Sequence, residues 1–185
     1  TERMMRAAQA RMALLFGAEG DAQSMAQALI GAESIGYYDA GIGTASLGSL
    51  VPMLRAQVLT SQNRWAEALD LFDANFEGAL SEGLKPIAAC LLADRAWCEL
   101  NLGRKDKARA LAGAAEQALH DPIDNDDRAM ALARLATVRE LLGEQGIAAQ
   151  HREESQRLYA DHRALQQRVQ ALLDAALAGL EPAKA

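Results

Sequence analysis

Acidic side chains cluster in one short segment of the chain, and their spacing raises the question of a metal site. The cluster consists of Asp121, Asp124, Asp126 and Asp127. Carboxylate oxygens suit Ca²⁺, but a calcium loop of the EF-hand type also needs a glycine and a closing glutamate at fixed positions, which this segment lacks. Aspartates at the start of a helix cap its free N–H groups and interact favourably with its dipole. We therefore interpret the cluster as helix capping and predict no metal and no cofactor.

Histidines, serines and cysteines also lack the spacing that catalysis or metal binding requires. His120, His151 and His162 are scattered, and His151 does not begin the His-Glu-x-x-His sequence of zinc proteases. No serine lies in a nucleophile elbow. Cys90 and Cys98 are eight residues apart on one predicted helix, too far apart to form a disulfide, so we expect two buried, reduced thiols in a cytoplasmic protein. The chain is predicted not to be an enzyme.

Alanines recur at a fixed interval of 40 residues, and this period indicates how the chain is built. The first column consists of Ala28, Ala68, Ala108 and Ala148. The second column, one helix earlier, reads Phe16, Ala56, Ala96 and Ala136, and the turn column reads Asn63, Gly103 and Gly143. Such a period is typical of stacked helical hairpins, each of which buries its apolar face only against its neighbours.

Proline and glycine positions predict where the helices begin and end. Pro52 is expected only in the first turn of a helix that covers about residues 47–62. Gly83 and Pro86 mark a break between hairpins. The last helix is interrupted only by Gly146 near its start, and at about 1.5 Å per residue it would be roughly 50 Å long. We predict a single domain, 1–185, with repeats at about 1–40, 41–82, 83–122 and 123–160 and an exit helix at about 144–178.

These columns resemble the tetratricopeptide repeat (TPR), a helix-turn-helix unit in which small residues and a turn glycine let two helices pack closely. The clearest matches are the segments 56–68, 96–108 and 136–148. The resemblance implies an all-α, right-handed α-α superhelix, a TPR-like solenoid of about four helical hairpins with a long C-terminal helix. The period differs from the family's usual repeat of about 34 residues, so longer helices or connections are expected.

Longer repeats of this sort are similar to regulatory segments of bacterial signalling proteins, which often precede a diguanylate cyclase (GGDEF) or DNA-binding output domain. No output-domain motif is present in these residues. The resemblance implies a non-enzymatic, protein- or peptide-binding regulatory scaffold, the sensor or interaction segment of a larger bacterial signalling protein. The alternative is a small-molecule-sensing helical domain that controls an attached cyclase or transcription regulator through a pocket near Tyr37, Tyr38 and Trp97.

The first helix of each predicted hairpin is expected to line a concave face that binds the partner. The candidate residues combine apolar side chains with polar groups, as suits a bound helix or extended peptide. They are Met53, Gln57, Ser61, Trp97, Asn101, Met130, Thr137 and Glu140. Trp97 is the predicted anchor, because tryptophan is enriched at binding hot spots, and its alternative role is core packing. Trp65 is predicted to pack within its own hairpin.

The exit helix carries a heptad stripe that predicts a homodimer. The stripe reads Ser155, Leu158, His162, Leu165, Val169, Leu172 and Ala176. Sustained spacing of this kind forms two-stranded coiled coils, here with His162 as a polar residue in the seam. We expect Leu158, His162, Leu165, Val169 and Leu172 to form the dimer contact. The alternative is that the same stripe covers the last hairpin of the solenoid.

Charge and hydropathy exclude two further classes of partner. The net charge of −6 and the isoelectric point near 5.1 argue against a nucleic-acid-binding surface across the domain. No apolar run approaches the roughly 20 residues that a membrane span needs. We therefore predict no nucleic acid and no membrane as partners.

Overall fold

The computed structural model describes residues 45–178 continuously, together with helical positions 23, 24, 27, 28 and 30. Within residues 45–178 the chain forms helices and turns and no strand, which confirms the all-α prediction for this part. The six α-helices in this range are α1 Ala45–Ser61, α2 Trp65–Ala79, α3 Ala88–Asn101, α4 Lys105–Ala118, α5 Asn125–Leu141 and α6 Gln145–Ala178. Phe16, Tyr37 and Tyr38, and with them most of the first predicted repeat, lie outside the described residues.

Consecutive helices pair as hairpins: α1 with α2, α3 with α4, and α5 with α6. The first helices of the hairpins are also neighbours, because α3 packs against both α1 and α5. The three described hairpins therefore lie in sequence order, with α3 at the centre. This arrangement brings residues of α1, α3 and α5 to one side of the molecule.

The turn inside each described hairpin has the same backbone geometry. The 40-residue period of the sequence is therefore also a repeat of this turn in the structure. Asn63, Gly103 and Gly143 have positive φ angles of 62°, 80° and 84°. In each turn the next N–H donates to the carbonyl five residues earlier at 2.8–2.9 Å: Arg64 to Leu59, Arg104 to Glu99, and Glu144 to Arg139. This is the Schellman pattern, which satisfies the last carbonyls of a helix and favours glycine or asparagine at the left-handed position.

The alanine columns lie in the buried interior of the three described hairpins. Ala56, Ala96 and Ala136 are 0–2% exposed, and Ala68, Ala108 and Ala148 are fully buried. Ala28, in the described part of the first predicted repeat, is helical and half-buried. A methyl side chain leaves room for a second backbone, so small residues at both positions let the helices of a hairpin pack at short range. In the three described hairpins both columns are core positions, as predicted, whereas Ala28 is only partly buried.

Pro52 differs from its prediction, because it lies at the eighth position of α1 and not in the first turn. A proline inside a helix removes one backbone hydrogen bond. The residues that follow it, Met53, Leu54 and Ala56, are buried, and this burial offsets the loss.

The break between the first two described hairpins lies where Gly83 and Pro86 predict it. α2 continues into a π-helical turn, Leu80–Leu84, in which Gly83 has a φ of 108°, and then into the 3-10 turn Lys85–Ile87. The prediction is confirmed.

The exit helix is as long as predicted, with 34 residues in α6. Its first half packs against α5, while every residue from 163 to 177 is exposed. The exposed segment 163–177 is named the overhang. Among the described residues, no helix is long and apolar enough to cross a membrane.

The turn geometry predicts opposite effects for two glycine-to-alanine substitutions. Gly103→Ala should destabilise the fold by about 1 kcal/mol, because φ is positive there although the space around the position is open. The matched change Gly78→Ala, at an exposed helical position of α2 with open space, should stabilise by about 0.5–1 kcal/mol. Urea unfolding measures both changes. Equal effects of the two substitutions would contradict the left-handed turn.

Candidate functional site

Four side chains from the three described hairpins meet around one buried carboxylate, and they are named the Asp94 cluster: Gln57 of α1, Asp94 and Trp97 of α3, and Arg134 of α5. Gln57 Nε2 donates to Asp94 Oδ2 at 2.9 Å, and Arg134 Nε donates to Asp94 Oδ1 at 2.9 Å. The Arg134 guanidinium lies over the Trp97 ring, 5.3 Å from its centroid. One carboxylate therefore joins α1, α3 and α5.

Burial makes these contacts necessary. Asp94 is 7% exposed and Gln57 is 1% exposed. A buried carboxylate is costly unless each oxygen is hydrogen-bonded and its charge is compensated, and here each oxygen has one donor. Gln57 Oε1 is buried and accepts no hydrogen bond, so the amide is oriented by Asp94 alone.

Arg134 and Trp97 form the accessible part of the cluster. The Arg134 side chain is 29% exposed, and Trp97 is half-buried against the core. Arg134 uses Nε for Asp94, and neither of its Nη nitrogens donates to another described residue. The ring covers one face of the guanidinium. The result is a patch with an aromatic base and free hydrogen-bond donors.

The structure separates the predicted concave-face residues into two groups. Met53, Gln57 and Met130 are buried, at 0%, 1% and 7% exposed, so their prediction as surface residues is wrong. The physical reason is that α1, α3 and α5 each pack against their own hairpin partner, and α3 also packs against both α1 and α5, which covers a wide arc of each helix. Met53 and Met130 pack in the core.

The other predicted residues reach the surface. Ser61, Trp97, Asn101 and Thr137 are half-buried, and Glu140 is exposed. The three small polar side chains hydrogen-bond to the carbonyl four residues earlier in their own helices: Ser61 to Gln57, Asn101 to Trp97, and Thr137 to Ala133. Glu140 forms an ion pair with Arg152 of α6. The structure thus links Trp97 to Gln57 only through Arg134 and Asp94, and it leaves Glu140 in a contact with α6.

Asp94 and Arg134 were not among the predicted site residues. A signal for them exists in the 40-residue register, where Leu54, Asp94 and Arg134 occupy one column. Opposite charges at the same buried register of consecutive hairpins indicate an ion pair between neighbouring helices.

The acidic cluster lies at the start of α5. Carboxylate oxygens of Asp124, Asp126 and Asp127 lie within 4.8 Å of one another, and Asp121 lies in the preceding bend. Asp124 occupies the N-cap position, but its side chain makes no capping hydrogen bond. The capping prediction is therefore right for the position and wrong for the bond. The negative charges still lie in the first turn, where the helix dipole favours them.

Both cysteines are buried and neither forms a disulfide, as predicted. Burial raises the pKa of Cys98 to about 12, against a weaker opposing effect of its hydrogen bond with Thr60. The Cys90 thiol donates to the Asp127 carbonyl at 3.0 Å. A thiol whose pKa is this high stays protonated at neutral pH, so Cys98 is a poor nucleophile.

A second charged network, the Arg139 network, anchors α6. The buried Arg139 guanidinium of α5 contacts both carboxylate oxygens of Glu116 in α4, at 2.9 and 2.6 Å, and Glu144 just before α6 at 2.6 Å. His151 Nε2 of α6 lies 2.8 Å from Glu116 Oε1, and Arg109 donates to Glu144 at 2.9 Å. Five side chains thus hold α4, α5 and the start of α6 together.

The network lowers the pKa of both glutamates. Burial acts to raise the pKa of Glu116, but hydrogen bonds from Arg139 and His151 outweigh it and hold the pKa below its usual value. The hydrogen bond from Arg109, assisted by Arg139, lowers the pKa of Glu144 despite partial burial. The hydrogen bond with Glu116 raises the pKa of Arg139 against the effect of its own burial. All three groups are therefore held in their charged forms.

The heptad stripe of α6 divides into a buried part and an exposed part. Leu158 is 5% exposed and packs in the core with α5, so its prediction as a dimer contact is wrong. His162 is half-buried. Leu165, Val169 and Leu172 are 49%, 47% and 73% exposed. The division lies where α6 runs past the start of α5, so the alternative prediction holds for the first half of the stripe only.

Comparison with known protein families, with curated proteins and with solved structures finds no match to this chain. Its function is therefore inferred from the Asp94 cluster and from α6.

The lowered glutamate pKa values predict how stability depends on pH. Because these carboxylates have folded pKa values below the ordinary 4.5, their contribution is complete above pH 4.5 and is lost as the pH falls through the folded pKa values. Glu116→Gln should lower the free energy of unfolding by about 1–3 kcal/mol at neutral pH, and by less in acid, where Glu116 is protonated in the parent chain as well.

Urea unfolding over a pH series tests this, with Glu153→Gln on the exposed side of α6 as the matched control. The control should change stability by less than about 0.5 kcal/mol at every pH. A Glu116→Gln effect that is constant across the series would contradict the account of the network.

Proposed function

We propose that this chain is a non-enzymatic, TPR-like helical scaffold that binds a peptide or a segment of a protein on the side formed by α1, α3 and α5. The Asp94 cluster is the observation that carries this proposal, because it joins three hairpins at a partly exposed patch. A peptide laid across the first helices would contact Trp97 and Arg134 at the middle of its path.

Two further features support a bound peptide. Ser61 and Asn101 share a register with Leu141, which is 56% exposed, so the third hairpin offers an exposed apolar side chain one turn beyond the column of Trp97. The side chains of Ser61, Asn101 and Thr137 are engaged with their own backbones, so covering them leaves few unsatisfied groups. A groove with an aromatic anchor and satisfied polar neighbours suits helix or extended-strand recognition.

We also propose that the domain is the regulatory segment of a larger cytoplasmic bacterial signalling protein, with α6 leading to an output domain such as a diguanylate cyclase. The support comes from the two halves of α6. The Arg139 network ties its start to the hairpins, whereas the overhang extends away from them. A change in hairpin packing would therefore be transmitted along one continuous helix.

The proposal predicts that binding is reported by Trp97 and not by Trp65. The chain has two tryptophans, so Trp65→Phe leaves Trp97 as the single tryptophan and Trp97→Phe leaves Trp65. Peptides selected from a random library on the immobilised chain should shift the emission of the Trp65→Phe variant. Trp97→Ala should weaken their binding by about thirtyfold or more, the usual effect of losing a hot-spot residue.

Trp65→Ala is the matched control for peptide affinity, since Trp65 is partly buried against the core between α1 and α2. Its effect on affinity should be within about threefold of the parent chain, which is below 1 kcal/mol. Selected peptides that leave Trp97 emission and affinity unchanged would refute the proposed face. Stabilisation by small metabolites with no peptide binder would favour the small-molecule-sensing alternative.

A second copy of this chain is the partner we propose for the overhang. Leu165, Val169 and Leu172 are exposed on one side of α6 at heptad spacing, the pattern by which identical helices pair. Because Leu158 and His162 belong to the hairpin, fewer than about three heptads remain for pairing, and shorter coiled coils are weak. The expected dimer is therefore concentration-dependent.

Light scattering over a concentration series tests the dimer. The parent chain should shift from monomer towards dimer as its concentration rises, and Leu172→Glu should keep it monomeric because it places a charge in the apolar seam. The control Gln167→Glu adds the same charge on the other side of the overhang and should leave the dimer unchanged. A parent chain that is monomeric at every concentration rules out pairing through the overhang.

A further inference from the structure

Arg134 is held in one orientation while part of its hydrogen-bonding capacity stays unused. Its Nε donates to Asp94, its face lies on Trp97, and its side chain is 29% exposed. A guanidinium has five N–H donors in a rigid plane, and the Nε contact occupies one of them. The end of the plane that carries the two Nη nitrogens is left to solvent. Two contacts therefore orient a donor pair before any ligand arrives.

Arg95 is a useful comparison, because it also stacks on an aromatic ring but its outer nitrogen is hydrogen-bonded to a carboxylate. Its guanidinium also lies over an aromatic ring, 4.9 Å from the centroid of Phe76. Its Nη2, however, donates to Asp73 at 2.7 Å, so its outer donors already have an acidic partner from α2. Arg134 has the stacking partner, but no carboxylate of residues 45–178 contacts its Nη nitrogens.

The chemistry of this donor pair selects its ligand. Two parallel N–H groups match the two oxygens of a carboxylate, and such bidentate contacts are among the strongest hydrogen bonds in proteins. Asp94 already balances the charge of Arg134, so the pair is neutral before binding. A neutral site beside a buried carboxylate tolerates a single negative charge better than the double charge of phosphate.

We propose that Arg134 binds a carboxylate group of the ligand peptide, with Asp94 and Trp97 as its positioning residues. This inference rests on the proposed peptide-binding function and adds the class of group that the peptide must present. The carboxylate belongs either to an acidic side chain or to the C-terminus of the ligand. A different small-molecule probe mimics each of these two sources.

The test uses the full chain labelled with ¹⁵N, and it follows the Nε–H signals of arginine and the indole N–H signals of tryptophan by NMR. The probes are N-acetylglutamic acid α-amide for a side-chain carboxylate, N-acetylalanine for a C-terminal carboxylate, N-acetylglutamine α-amide as the neutral control, and inorganic phosphate. At least one carboxylate should shift the Arg134 and Trp97 signals saturably, and the neutral amide should not. The carboxylate that binds more tightly identifies the source.

Two matched variants decide whether Arg134 is responsible. Arg134→Lys keeps the charge but loses the planar donor pair, and it should weaken carboxylate binding by about tenfold or more, as expected for loss of a bidentate contact. Arg95→Lys makes the same change at the engaged arginine and should leave the affinity within about twofold of the parent chain. Two-dimensional spectra of both variants show whether each remains folded.

Several results would overturn the inference: no saturable shift with either carboxylate, equal affinity in Arg134→Lys, or tighter binding of phosphate than of both carboxylates. The experiments distinguish failure of the carboxylate contact from failure of the proposed peptide-binding function. Selected peptides that still shift Trp97 emission, with unchanged affinity in Arg134→Lys, would leave the peptide-binding face intact and remove the carboxylate contact. Carboxylate binding at Arg134 without any peptide that affects Trp97 would refute the peptide-binding face instead.

Discussion

Close approach of helices at the alanine columns is the constraint on which the rest of the structure depends. Ala56, Ala96 and Ala136 in the first helices have almost no exposed surface, and Ala68, Ala108 and Ala148 in the second helices have none. Larger side chains there would force the paired helices apart, at a typical cost of about 1–3 kcal/mol per overpacked site. The left-handed turn at Asn63, Gly103 and Gly143 reverses the chain within this short distance. The 40-residue period reflects both requirements, the small side chain at the helix contact and the left-handed residue in the turn.

The Asp94 cluster follows from this spacing. The hairpins stack through their first helices, so α3 lies beside both α1 and α5, and Asp94 accepts a hydrogen bond from each side. The same arrangement makes the cluster vulnerable, since a buried carboxylate that loses a donor carries an uncompensated desolvation cost. The Arg139 network uses charge differently. It joins α5 to α4 and to the start of α6, whereas the Asp94 cluster joins α5 to α3.

Residue spacing along the chain predicted the structural features that are determined within one helix or one hairpin. The turn column, the break at Gly83 and the length of α6 depend on local backbone requirements, and each was found as expected. The alanine columns depend on packing within a hairpin, and they are buried in the three described hairpins. Met53, Met130 and Leu158 were misplaced because a periodic pattern indicates which residues share a face but not which neighbouring helix covers that face. Asp94 and Arg134 are 40 residues apart, and their pairing depends on contact between hairpins. The sequence indicates this ion pair only through the opposite charges of Asp94 and Arg134 in one column of the 40-residue register.

A double-mutant cycle between Asp94 and Arg134 tests most directly whether one carboxylate joins the hairpins. Urea unfolding of Asp94→Asn, Arg134→Gln and the double variant gives the coupling energy of the pair, free of the separate effects of each change. The structure predicts a favourable coupling of about 1 kcal/mol or more, since one partner is buried and the other is partly exposed. Additive effects of the two substitutions, with a coupling near zero, would contradict the central place given to Asp94.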